Sequence, residues 1–137
     1  MKSRHLSVVV NASPEAVYGF AAEPDNLPAW ASGLASADVR REGDLLIVDS
    51  PMGEVTVRFV PRNDFGVLDH DVTLPSGTVV TNPLRVLKHP HGSEVVFTVR
   101  QIELTDEEFE RDCQMVADDL ERLKLAVEQQ GARPANR

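Results

Sequence analysis

Apolar and polar positions along the chain fall into three regimes with different periods. Residues 6–10, Leu-Ser-Val-Val-Val, are rich in β-branched side chains and predict a strand. The strand ends at Asn11-Ala12-Ser13-Pro14-Glu15, where Ser13 can cap a helix with Pro14 at its first position. Val17, Phe20 and Ala21 then recur at helical spacing until Glu23-Pro24-Asp25-Asn26 stops the helix. A second short helical piece is predicted from Leu27 to Leu34 and carries Trp30, the one tryptophan.

From about residue 35 to 103 the period changes to two, with turn signals at intervals suited to successive hairpins. The breaks are Glu42-Gly43-Asp44, Pro51-Met52-Gly53, Pro61-Arg62-Asn63-Asp64, Pro75-Ser76-Gly77 and His89-Pro90-His91-Gly92. Strands are predicted near 36–41, 45–50, 54–60, 66–74, 78–87 and 94–102, and Pro83 marks the fifth of these as an edge, a bulge or a bend. Thr105 with Glu108 three residues later forms a capping box for a helix of about 25 residues. On it Phe109, Cys113, Val116, Leu120, Leu123 and Val127 make a single apolar stripe, which Gly131 and Pro134 bring to an end.

The fold class is therefore α+β. One antiparallel sheet of about seven strands curves around the long C-terminal helix, with two short helices after the first strand, because such a stripe and a one-faced sheet must cover each other. Residues 1–130 read as a single domain and 131–137 as a loose tail. A chain of 137 residues can bury roughly two thirds of its unfolded surface, so it can tolerate an internal cavity.

Composition narrows the partners. Fourteen Lys and Arg against 22 Asp and Glu give a net charge of −8, which disfavours nucleic acid and anionic lipid surfaces. Cys113 is the only cysteine, which excludes an intramolecular disulfide and a Cys-rich zinc site. With no signal-peptide core and no apolar run near 18 residues, a soluble cytoplasmic protein is expected, as a monomer or a homodimer and without membrane insertion.

The segments Val8-Val9-Val10-Asn11-Ala12-Ser13-Pro14-Glu15-Ala16-Val17-Tyr18 and Pro24-Asp25-Asn26-Leu27-Pro28-Ala29-Trp30 resemble the opening strand and helices of the SRPBCC superfamily, also called START-like or helix-grip proteins. Further matches are Val67-Leu68-Asp69-His70-Asp71-Val72, Gly92-Ser93-Glu94-Val95-Val96-Phe97-Thr98 and Thr105-Asp106-Glu107-Glu108-Phe109, and the likeness is to the polyketide cyclase/dehydrase-like branch. The resemblance implies a pocket for hydrophobic small molecules between sheet and helix. It implies no single reaction, because members share a cavity and no common catalytic motif.

Among titratable residues His70 stands out. Alternation places Leu68, His70, Val72 and Leu74 on one face, so the imidazole should point inward. There it is either a general acid/base or a buried histidine bonded to a neighbour. Asn82 shares a face with Val80 and Leu84, and Gln101 with Phe97; each either meets a ligand or sits at a strand end. Trp30 is either a lid at the pocket mouth or core. The expected cavity is lined by Trp30, Leu68, His70, Val72, Asn82, Leu84, Phe97 and Gln101, with Val116 and Leu120 from the helix.

Asp69-His70-Asp71 cannot converge on a metal, since adjacent strand residues face opposite ways. No Gly-rich phosphate loop, Ser nucleophile elbow or CxxC pair suggests a cofactor. The leading expectation is binding of a hydrophobic or aromatic small molecule. The alternatives are a polyketide cyclase/dehydratase-type enzyme using His70 and a co-chaperone-like interaction module.

Overall fold

The computed structural model describes residues 1–31, 38–50 and 53–132. Its elements are β1 (Ser3–Val10), α1 (Pro14–Ala22), a 3-10 turn (Pro24–Asn26), α2 (Leu27–Trp30), β2 (Asp38–Glu42), β3 (Leu45–Ser50), β4 (Gly53–Phe59), β5 (His70–Thr73), β6 (Val79–Asn82), β7 (Leu84–His89), β8 (Gly92–Arg100) and α3 (Asp106–Ala132). The predicted end of the second helix at Leu34, the start of the next strand at 36, the Pro51-Met52 break and the tail beyond 132 lie outside the described residues.

The helix starts form as their sequences require. Ser13 Oγ accepts a hydrogen bond from Ala16 N at 3.1 Å, with Pro14 opening α1. At α3, Glu108 N donates to Thr105 Oγ1 (3.1 Å) and Thr105 N donates to Glu108 Oε1 (2.8 Å), which satisfies two orphan donors reciprocally.

The sheet departs from expectation in one instructive way. Instead of one sheet, the described residues form a three-stranded sheet, β1-β8-β7, and a five-stranded sheet, β2-β3-β4-β5-β6, each antiparallel throughout. The predicted strand 78–87 breaks at Pro83 into β6 and β7, which belong to different sheets. The predicted strand 66–74 does the same. Its first part pairs with β7, through Val86 N to Gly66 O (2.9 Å) and Leu68 N to Leu84 O (2.8 Å), and its second part is β5.

Asp69 clamps this corner. Its Oδ1 accepts from Leu84 N (2.9 Å) and Arg85 Nε (2.8 Å), and its Oδ2 accepts from Arg85 Nη2 (2.7 Å). The guanidinium holds the Asp69 carboxyl below the usual carboxylate range. Gly66 permits the close approach: its φ is +71°, and a Cβ there would lie 2.4 Å from Val86 O.

The α3 stripe is buried as expected except at Val116, which is half-buried. Leu120, Leu123 and Val127 join the main core with Val10, Val17, Trp30, Leu84 and Val95, while Phe109 and Cys113 pack with Val99 in a smaller cluster. Each large apolar side chain so buried contributes about 1.5–3 kcal/mol. The helix packs chiefly against β1, β8, α1 and α2.

Candidate functional site

Between β5, β6 and β8 on one side and the first half of α3 on the other lies an open cavity of about 610 Å³. Val72 and Leu74 of the β5 strand and its end, Val80 and Asn82 of β6, and Phe97 and Val99 of β8 line one wall. Asp112, Met115 and Val116 of α3 line the other, and Ile102 and Leu104 close the end where β8 leads into α3. Ser76, Arg100, Glu103, Glu108 and Arg111 are the remaining polar residues of its lining.

Most of these polar groups already have partners. Glu103 accepts from Ser76 Oγ (3.2 Å) and from Thr78 Oγ1, Glu108 belongs to the capping box, and Arg100 Nη1 donates to Thr81 O (3.3 Å). Three do not. Among the described residues, the Asn82 amide, the Asp112 carboxylate and the Arg111 guanidinium have no hydrogen-bond partner, and the charge of Arg111 acts on Glu108. Asp112 is half-buried, and burial together with the charge of Glu108 pushes its carboxyl above the usual range.

His70 faces inward, as the alternation predicts, and is buried. Its Nδ1 lies 3.0 Å from Leu68 O, and a carbonyl can only accept, so the hydrogen is on Nδ1. Burial outweighs the nearby Asp69 and Asp71 and pushes the imidazole below its ordinary value, so the ring is neutral at neutral pH. It stacks against Phe59 (4.7 Å between centroids) and meets Phe97 edge-on (5.7 Å). Phe97 belongs to the 610 Å³ cavity and Phe59 to a separate cavity of about 490 Å³ beside Ala21, Leu27 and Leu46. The imidazole therefore sits in an aromatic row between two cavities and lines neither.

The expected wall is thus redrawn. Val72, Asn82, Phe97 and Val116 line the larger cavity, whereas Leu68, Leu84 and Leu120 are packed into the core. Gln101 falls just past β8, where its Nε2 donates to Leu104 O (3.2 Å) and Asp106 Oδ1 (2.8 Å), away from the cavity. Trp30 is core: it is 4% exposed, and its carbonyl receives Arg122 Nε at 3.5 Å. The sequence reading passed over Asp112, although it lies three residues after Phe109 and four before Val116, on the edge of the apolar stripe. Cys113 is buried and its thiol is pushed up by burial, which leaves it unreactive. Among the described residues no three His, Cys, Asp or Glu side chains are grouped as metal ligands.

Curved antiparallel sheets gripping a long C-terminal helix, with a cavity left between them, define a helix-grip protein. The chain belongs to the family described as polyketide cyclase / dehydrase and lipid transport, whose profile matches residues 1–128. Solved structures share the fold. The protein XoxI from Bacillus cereus is 17% identical with a TM-score of 0.69, over 97% of this chain and 100% of that one. The Aha1 dimer from Colwellia psychrerythraea gives 18% and 0.72, over 93% and 97%, and Ara h 8.0201 gives 11% and 0.66, over 93% and 98%. No protein with a curated description matches the sequence. Among the described residues no helix is long and apolar enough to cross a membrane.

Proposed function

We propose that this protein binds a hydrophobic or aromatic small molecule in the cavity between β5, β6, β8 and the first half of α3. The observation that carries the reading is the cavity itself, about 610 Å³ with a predominantly aliphatic and aromatic wall, inside the size range of small-molecule sites. A core with no such gap would have pointed instead to an interaction surface. The family's description, which spans cyclases and lipid transport, agrees with a ligand of this kind.

The enzyme reading has less support, because His70, the one inward imidazole, is not among the residues that line the cavity. Reaching a ligand would require Phe97 to move aside. Native mass spectrometry of protein purified from its own cells tests the proposal. A copurifying apolar species that is lost in Val116→Trp, which fills the cavity from α3, is the expected result. Retention of the same species by the folded variant would overturn it.

A further inference from the structure

We propose that the ligand of this cavity is an apolar molecule carrying a hydrogen-bond donor at one end, which Asp112 receives at the cavity wall. The inference rests on the binding proposal above and specifies the chemistry of the ligand's polar end. Asp112 is the one carboxylate of the cavity without a partner among the described residues: Glu103 is held by Ser76 and Thr78, and Glu108 by Thr105. A half-buried carboxylate on an apolar wall has lost part of its hydration and regained no hydrogen bond, which is costly unless something else donates to it. A bound hydroxyl or ammonium supplies that bond.

The charges around Asp112 select against an anion. Glu108 lies one turn earlier on the same helix and acts on Asp112 electrostatically, and Glu103 stands on the facing connection. Arg111 and Arg100 also line the cavity, but the charge of Arg111 acts on Glu108 and Arg100 is engaged with Thr81 O. A fatty-acid-like carboxylate placed beside Asp112 would therefore meet a like charge in a poorly hydrated site. The Asn82 amide, on the opposite wall and equally unpartnered, offers both a donor and an acceptor to a second, neutral polar group.

The test is calorimetric titration with four naphthalene probes that share one apolar body: naphthalene, 2-naphthylmethanol, 2-naphthylmethylammonium and 2-naphthylacetate. The methanol and the ammonium are expected to bind at least about tenfold more tightly than naphthalene, the scale of a hydrogen bond to a charged group. The acetate is expected to bind more weakly than naphthalene. In Asp112→Leu the preference for donors disappears while naphthalene binding is retained; in Asp112→Asn, which keeps an accepting oxygen and removes the charge, the methanol still binds more tightly than naphthalene while the ammonium loses its advantage and the acetate its penalty. Equal affinity for all four probes, or tightest binding of the acetate, would overturn this inference and leave the binding proposal standing. Failure of all four to bind would overturn both.

Discussion

His70 shows what a single residue can reveal about the interior. Its ring is neutral because burial outweighs the Leu68 carbonyl and the carboxylates of Asp69 and Asp71. The unfolded chain, with an ordinary imidazole near pH 6.5, takes up the proton more readily than the folded one. The sign follows from linkage: stability is highest above about pH 6.5 and falls as pH drops below it, until the folded protein takes up the proton as well. The slope is at most about 1.4 kcal/mol per pH unit for one group. His70→Phe, which keeps a ring between Phe59 and Phe97, is expected to lose this component of the pH dependence. Denaturant unfolding of both proteins between pH 7 and 5 checks it: the wild type should lose stability relative to the variant as pH falls, and parallel curves would contradict a neutral buried imidazole. The inward orientation of His70 was legible from alternation alone, since no bulge intervenes within β5. Its distance from the cavity was not, because that depends on Phe97, a neighbour on a strand 27 residues away.

At the scale of elements, α3 was the most legible. A stripe sustained over five turns admits one buried face, and Phe109, Cys113, Leu120, Leu123 and Val127 all occupy it. Leu120 is 2% exposed within the main core, so Leu120→Ala is expected to destabilise by about 2–5 kcal/mol, read as a shift in denaturation midpoint at unchanged slope. An unchanged midpoint would contradict the packing of the helix. The sheets were less legible. Pro83 announced a bend, but alternation runs through residues 66–74 without interruption, so nothing in the pattern marks the switch between sheets at Asp69. What makes that switch is the pairing of Asp69 with Leu84 N and Arg85, groups distant in sequence, together with a glycine at 66 that admits Val86 O. Long-range pairing of this kind leaves no periodic trace.

For the whole molecule, the consequence of the corner is space. Val10, Val17, Val95, Leu120, Leu123 and Val127 pack together under β1, β8, α1 and the second half of α3, whereas β5 and β6 face the first half of α3 across the cavity. Alternation treats every inward position as equivalent, so it predicts a wall that takes in Leu68, Leu84 and Leu120 together with Val72, Asn82, Phe97 and Val116. Burial depends on which elements face each other, and only Val72, Asn82, Phe97 and Val116 of that set open onto the gap. The most direct test of the account is a methyl-resolved carbon–proton NMR titration of the protein with naphthalene. The methyls of Val72, Val80, Val99 and Val116 should shift together and saturate with one binding curve, while those of Val10, Val17 and Leu123, fully buried in the main core, stay in place. Shifts confined to the main core or to surface methyls, or no saturable shift at any methyl, would contradict a ligand cavity between the sheet and the helix.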